Sequence, residues 1–340
     1  MIEELKKRFL RNWGALCRDI PRPSVEDVLA TKTGDSTEET VRFHLFTKIP
    51  SGPVCVAKLV RNPKNKDLLR REFEVLNQLN RCFRAGGPAS DSVPRPLELI
   101  DVRGETVLLL GILPGPPLER LLAASSLLPF GHGKVKGCLE RLQRWMELFQ
   151  QATMGERISE NMSARKFNMA SIQAAWNGES DRLVTRLGIA RDELGTIQYV
   201  SVACHGGLSP ASVIAVGPRG NQIMDWEGYR ESGHPLDDAL DLVISTAAAM
   251  SRWQRKDSRD LFSGPKSSLH DALFSFLFPF RKSAGLSARQ TYSYMLLRAA
   301  QGLDVATGSR GGQNSSLSLL REIVDNEKQI MARLDRSAAA

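Results

Sequence analysis

Residues 203–227, ACHGGLSPASVIAVGPRGNQIMDWE, decide the fold. They contain two short apolar runs, ASVIAV and NQIMDW, on either side of a turn at 217–220 that is rich in glycine and proline. Two such runs around a turn predict a β-hairpin. A His-Gly pair precedes the first run, and Asp-Trp-Glu closes the second. The predicted hairpin therefore has a polar loop at its entrance and acids at its exit.

Upstream of the hairpin the sequence predicts the order β-β-α-β-β. The run VRFHLFTKI (41–49) alternates apolar and polar residues, and VCVAKLV (54–60) is an apolar strand that carries Lys58. Residues 62–84 have the apolar stripe of a helix, with Glu72 and Glu74 in it or at its edge. Residues 93–102 and 105–113 predict a second pair of strands. Before these elements, residues 1–30 predict one or two helices and residues 31–40 a polar loop.

The segment LPGPP (113–117) is the predicted boundary between two lobes, because its prolines stiffen the chain and its glycine permits an unusual turn. Apart from the hairpin, the sequence beyond it predicts mainly helices, at 118–128, 135–152, within 165–190, and at 236–256, 268–279, 287–302 and 314–335. A chain of 340 residues is long for one core, so two lobes are expected. The predicted fold class is α+β.

The composition of the chain indicates which classes of ligand and partner to expect. Lys and Arg outnumber Asp and Glu by 46 to 38, and the net charge of +8 suits an anionic ligand such as a nucleotide. No long basic run or nucleic-acid motif is present, so no specific nucleic-acid partner is expected. The longest apolar runs, 107–113 and 272–278, are far shorter than the roughly 20 residues of a membrane span. Five cysteines without a CxxC pair indicate reduced thiols, so we expect a cytoplasmic protein with no membrane partner.

The order of strand lysine, helix glutamate, Pro-Gly hinge, His-Gly loop and Asp-terminated hairpin resembles the aminoglycoside phosphotransferase family. This family is the small-molecule branch of the protein-kinase-like fold, and the sequence is most similar to its members with an Asp-Trp-Glu metal motif. The resemblance extends from about residue 31 to residue 242. It implies a bilobal fold with an N-terminal helical extension (1–30), a β-rich nucleotide-binding N-lobe with one key helix (31–113) and a mainly helical C-lobe that carries the catalytic and metal loops (114–340).

The resemblance also implies roles for individual residues. Lys58 is the strand lysine that contacts the α- and β-phosphates, and Glu72 is the helix glutamate that pairs with it. Glu72 is preferred to Glu74 because leucines follow it after four and seven residues. Asp225 is the acid that holds magnesium. The remaining implied nucleotide contacts are Gly34 and Ser36 in the loop that covers the phosphates, and Gly111, Ile112 and Leu113 in the hinge that meets adenine.

Two positions depart from the family pattern. The catalytic loop of the family has His-Gly-Asp and, four residues later, Asn, whereas this chain has Gly207 in place of the aspartate and Ser212 in place of the asparagine. Glycine can neither orient an acceptor hydroxyl nor take its proton, and such base catalysis contributes roughly 10²–10⁴-fold in rate. Ser212 is a shorter and weaker metal ligand than asparagine.

Three functions follow as hypotheses. The first is a protein that binds ATP and Mg²⁺ in the cleft between its lobes and in which phosphoryl transfer to a small hydroxylated acceptor is weak or lost. Such a protein would act as a binding or regulatory module, and its second ligand would be either that acceptor or a protein partner. The second is an active O-phosphotransferase, a sugar or aminoglycoside kinase, whose base is displaced to Glu227 or Asp35. The third is a scaffold without nucleotide, in which Lys58, Glu72 and Asp225 form a structural charge network.

Overall fold

The fold is given by a computed structural model that describes residues 2–16, 28–32, 40–47, 53–60, 62–86, 88, 90–102, 104–112, 115–127, 132–162, 180–217, 220–254, 268–306 and 312–336. The strands are β1 (Leu29–Lys32), β2 (Thr40–Phe46), β3 (Pro53–Val60), β4 (Arg95–Val102), β5 (Glu105–Gly111), β6 (Arg157–Asn161), β7 (Thr196–Val200), β8 (Val202–Cys204), β9 (Val213–Ala215), β10 (Asn221–Ile223) and β11 (Arg230–Gly233). The helices are α1 (Ile2–Arg11), α2 (Trp13–Leu16), α3 (Lys66–Gly86), α4 (Leu118–Leu127), α5 (His132–Ala152), α6 (Ser180–Leu194), α7 (Asp237–Gln254), α8 (Ser268–Ser283), α9 (Ala288–Ala306), α10 (Gly312–Asp325) and α11 (Glu327–Arg336).

The chain divides into two compact units. The first contains Met1–Leu118 and Ala211–Tyr229, and the second contains Glu119–Pro210 and Arg230–Ala340. The predicted α+β class is confirmed, since the first unit is built on a β-sheet and the second consists mainly of helices. The boundaries predicted for the extension and the two lobes stay a prediction.

The first unit is built on an antiparallel five-stranded sheet in the order β1-β2-β3-β5-β4. Alternation along β3 sends Cys55, Ala57 and Leu59 into an apolar cluster that also contains Leu5 and Phe9 of α1. The prediction for residues 1–30 and 31–40 was wrong at their junction, because residues 29–32 form β1 and pair with β2. Four residues are too few to show a period in the sequence.

Helix α3 packs on the same sheet. It follows a short 3₁₀ turn, Pro63–Asn65, which Asn62 caps by accepting a hydrogen bond from the Lys64 amide at 3.0 Å. Its buried face includes Leu69, Leu76 and Leu79, at the helical spacing that the sequence predicted.

The predicted hairpin is present as the antiparallel pair β9–β10. It docks on other parts of the first unit. A Cβ added at Gly115 would lie 2.3 Å from the carbonyl oxygen of Ala215, so only glycine allows this approach of residues 115–117. On the other strand, Gln222 donates a hydrogen bond to the carbonyl of Asp91 at 3.1 Å. These contacts fix the hairpin, and with it residues 224–227, in the first unit.

The second unit holds α4–α11 and two small antiparallel pairs, β6–β7 and β8–β11. The sequence did not predict these four short strands. The single helix predicted at 314–335 is also wrong, because α10 ends at Asp325 and α11 begins at Glu327. Within the described ranges, no helix is long and apolar enough to cross a membrane.

Candidate functional site

Lys58 is the centre of a charged cluster in the first unit. The alternation of β3 places it on the face opposite the apolar cluster, and its side chain is 1% exposed. Its ammonium donates to Glu72 at 2.7 Å, to Glu227 at 2.8 Å and to Asp225 at 3.1 Å. Because an ammonium has three protons, these three carboxylates satisfy it completely.

Glu72 lies on α3 and is fully buried. One of its carboxylate oxygens accepts from Lys58, and the other accepts from the backbone N–H of Trp226 at 3.2 Å. The structure thus pairs Lys58 with Glu72, whereas Glu74 is exposed. Both oxygens of Glu72 are occupied, so this residue links β3 to the segment that follows the hairpin.

Asp225 comes two residues after β10 and has a left-handed backbone, with φ 65° and ψ 62°. This conformation costs a residue with a Cβ about 1–2 kcal/mol, and it persists only where the surroundings impose it. Trp226 supplies part of that constraint, because it is fully buried and its indole N–H donates to the carbonyl of Ile223 at 2.8 Å. The strained turn aims the Asp225 carboxylate at Lys58.

A second cation reaches the same carboxylate. The guanidinium of Arg42, on β2, lies 2.9 Å from Oδ2 of Asp225, while Lys58 binds Oδ1. Arg42 and Lys58 are directly opposed across the β2–β3 ladder. Arg42 was not predicted as a site residue from the sequence. A lone arginine in an alternating strand is typical of a solvent-facing position, and only its register against Lys58 distinguishes it.

Among the residues that the structure describes, the cluster contains two cations and three carboxylates, whose formal charges sum to −1. Burial opposes the charge of Lys58, but the carboxylates of Glu72, Asp225 and Glu227 outweigh it and raise the pKa of Lys58 above its ordinary value. Burial also raises the pKa of the Glu72 carboxyl, although Lys58 acts on it in the opposite direction. Lys58 is therefore charged across the physiological range.

The donor set fits a magnesium ion. Carboxylate oxygens of Glu72, Asp225 and Glu227 lie within 4.8 Å of one another, and oxygen ligands suit Mg²⁺. Glu72 is excluded because it is fully buried, so an ion from solvent cannot reach its oxygens. Asp225 and Glu227 are 18% and 27% exposed and are the two acids that an ion could reach. The net negative charge of the cluster favours such an ion.

The two positions that depart from the family motif lie in different units. Ser212 belongs to the first unit, is buried, and accepts a hydrogen bond at its carbonyl from the Met224 amide at 2.8 Å. Gly207 belongs to the second unit and is exposed, and a Cβ added there would meet nothing within 4 Å.

The loop that carries Gly207 is held by an acid. The carboxylate of Asp238 accepts from the backbone N–H groups of His205 at 2.6 Å and Gly206 at 3.0 Å. Gly206 has a positive φ of 81° and Gly207 does not. The loop backbone is thus fixed without any side chain at position 207.

The remaining predicted contacts are described only in part. Gly111 ends β5 opposite Cys55, and the amide of Ile112 donates to the carbonyl of Val54 at 3.1 Å. The Ile112 N–H is therefore occupied within the sheet. Gly34, Asp35, Ser36 and Leu113 lie outside the described residues.

The chain is similar to several solved structures, of which three are described here. An aminoglycoside phosphotransferase from Alicyclobacillus acidocaldarius is 13% identical over 94% of this chain and 96% of its own, with a TM-score of 0.44. A choline kinase from Streptococcus pneumoniae is 11% identical over 99% and 98%, with a TM-score of 0.44. A spectinomycin phosphotransferase, solved with ADP and spectinomycin, is 11% identical over 89% and 93%, with a TM-score of 0.37.

Two of these proteins are phosphotransferases and the third is a choline kinase. No protein-family model matches the chain, and no curated protein matches its sequence. At identities of 13% or less and TM-scores below 0.5, the similarities carry no argument about activity. The function of this chain has to follow from its own residues.

Proposed function

We propose that the chain is an aminoglycoside-phosphotransferase-like protein whose first unit binds ATP with Mg²⁺, and in which phosphoryl transfer is weak or lost. The observation that carries the proposal is the buried Lys58–Glu72 pair, which meets Asp225 and Glu227 on one face of the sheet. Lys58 contacts the phosphates, and Glu72 fixes its position. Asp225 and Glu227 hold the ion, which when bound neutralises phosphate charge.

Stability alone does not account for the Lys58–Glu72 pair. Removing two charges from water is expensive, and well-packed apolar residues in their place are often equally stable or more stable. Lys58 lies among buried apolar neighbours of β3 and has the burial of a core residue. A functional demand for a fixed cation explains its presence better than packing does.

Gly207 is the basis for proposing weak transfer. No side chain at this position can accept the proton of an acceptor hydroxyl. Glu227, which the sequence nominated as a substitute base, is held by Lys58 at 2.8 Å. A carboxylate engaged in this way is better suited to organising charge than to removing a proton, so we infer a binding function with an unidentified hydroxylated acceptor or protein as second ligand.

A second candidate is a scaffold that binds no nucleotide. The observation in its favour is that Lys58 has a carboxylate for each of its three protons within the protein itself. In that case Lys58, Glu72 and Asp225 would serve only to connect α3, β3 and the hairpin.

Thermal denaturation with increasing ATP and Mg²⁺ distinguishes the two candidates. A ligand at 100 times its dissociation constant stabilises the folded state by about 2.7 kcal/mol. We expect a melting temperature that rises with nucleotide for the natural protein and for Lys64→Met, a control at an exposed position. An unchanged melting temperature at millimolar ATP would favour the scaffold.

A further inference from the structure

Arg42 and Lys58 form an unusual pair on the sheet. They are direct cross-strand partners, so their side chains share one face of the β2–β3 ladder. Like charges in this arrangement repel each other. Asp225 compensates for the repulsion, because it offers one oxygen to each cation. The arrangement needs an anion between the two cations.

The two cations differ in how firmly they are held. The Lys58–Glu72 pair is buried on both sides, at 1% and 0% exposure. The Arg42–Asp225 pair keeps contact with solvent on both sides, at 15% and 18%. Opening the buried pair would strand two charges in the interior, whereas the two groups of the Arg42–Asp225 pair keep partial access to solvent. The Arg42–Asp225 bond is thus the exchangeable one.

Arg42 and Asp225 also meet the requirements of two different ligands. An ion at Asp225 needs the carboxylate oxygens that Arg42 now shares. A guanidinium matches the oxygens of a phosphate as well as it matches a carboxylate. Since Arg42 and Lys58 already hold two oxygens of one anion between them, they are spaced to hold two oxygens of a phosphate.

We propose that Arg42 is the displaceable counter-ion of Asp225 and becomes a second phosphate-binding cation when a divalent ion takes that carboxylate. The inference rests on the nucleotide binding proposed above. It adds that Arg42 opposes metal binding in the absence of nucleotide and favours binding of the metal–nucleotide complex.

In Arg42→Gln, the affinity for Mn²⁺ and the affinity for ATP should change in opposite directions. Without nucleotide, the variant should bind Mn²⁺ more tightly, by about fivefold, because a partly exposed ion pair worth ~1 kcal/mol no longer competes. With saturating Mn²⁺, the same variant should bind ATP about tenfold more weakly, because one charge-assisted phosphate contact is lost. Calorimetric titration measures both affinities.

Arg70→Gln is the matched control, since it removes an exposed arginine of the same unit and leaves the cluster intact. Its affinities for Mn²⁺ and ATP should both equal those of the natural protein. A purely structural role for Arg42 would weaken both affinities together. That result, or an unchanged affinity for Mn²⁺, would overturn the inference.

Arg42→Lys keeps the test decisive if Arg42→Gln does not fold. Lysine retains the charge but lacks the forked donors of arginine. The affinities for Mn²⁺ and ATP should therefore change in the same directions as in Arg42→Gln, but by less. If the natural protein binds no ATP even with metal, the proposed function fails. The effect of Arg42 on Mn²⁺ affinity still decides whether it is the counter-ion of Asp225.

Discussion

Lys58→Met should be among the most destabilising single changes in the first unit. Methionine keeps much of the length of the side chain but removes the charge on which three carboxylates converge. Breaking a buried ion pair by removing one partner costs roughly 3–5 kcal/mol, because the other charge stays buried without compensation. We place Lys58→Met in this range, since Glu72 is fully buried.

The loss should depend on pH. Burial raises the pKa of Glu72 and Lys58 lowers it, so the pKa of Glu72 rises further in Lys58→Met. A carboxyl whose pKa is raised in the folded state binds more protons there than in the unfolded state, and stability then falls as pH rises above its ordinary value of 4.5. The difference in unfolding free energy from the natural protein should be smaller at pH 5 than at pH 8.

Urea denaturation followed by tryptophan fluorescence measures this difference, with Lys64→Met as the control. Adding Glu72→Gln should restore most of the lost stability, since glutamine removes the stranded charge and keeps an oxygen for the Trp226 N–H. A loss below 1 kcal/mol, or one that is equal at both pH values, would refute the account of a buried, mutually dependent pair.

Three further predictions concern Gly207, Ser212 and the cysteines. Gly207→Asp should fold normally, because a Cβ there meets nothing within 4 Å. Together with Ser212→Asn, it should raise the rate of ATP turnover about 10²-fold or more. A folded, ATP-binding double variant without this gain would contradict the proposed loss of the base. Ser212 is buried, so Ser212→Asn alone should cost about 1–3 kcal/mol, measurable by urea denaturation. Cys82→Ser should remove one rapidly labelled thiol, because Cys82 is exposed. Cys138→Ser should leave rapid labelling unchanged, because burial raises the pKa of that thiol to about 11. Equal effects of the two changes on thiol labelling would refute this prediction.

The sequence predicted most of the sheet of the first unit because its elements have clear periods. Strands β2–β5 and helix α3 fall within a few residues of the predicted segments. Strand β1 and the four short strands of the second unit are set by partners distant in the sequence, which local periodicity does not show. The break between α10 and α11 is marked only by Asn326, which is a weaker sign of a helix end than proline or glycine.

Some residues of the candidate site could be predicted from the sequence, because their order along the chain is typical of a known motif. Lys58, Glu72 and Asp225 were chosen in this way, and the structure brings all three together. Arg42 has no counterpart in the motif, and its position depends on the β2–β3 register and on the left-handed turn at Asp225. Neither feature can be read from residue types alone. The roles given to these residues in binding nucleotide and metal stay predictions.

The proposed nucleotide binding is tested by calorimetric titration of ATP in the presence of Mg²⁺, in which the natural protein is compared with Lys58→Met/Glu72→Gln. The double variant has neither the cation proposed to bind phosphate nor the acid that pairs with it, yet it should retain most of the stability of the natural protein. We expect saturable binding by the natural protein and at least tenfold weaker binding by the folded double variant. Equal affinities for the two proteins, or no binding by either, would contradict the proposed nucleotide binding.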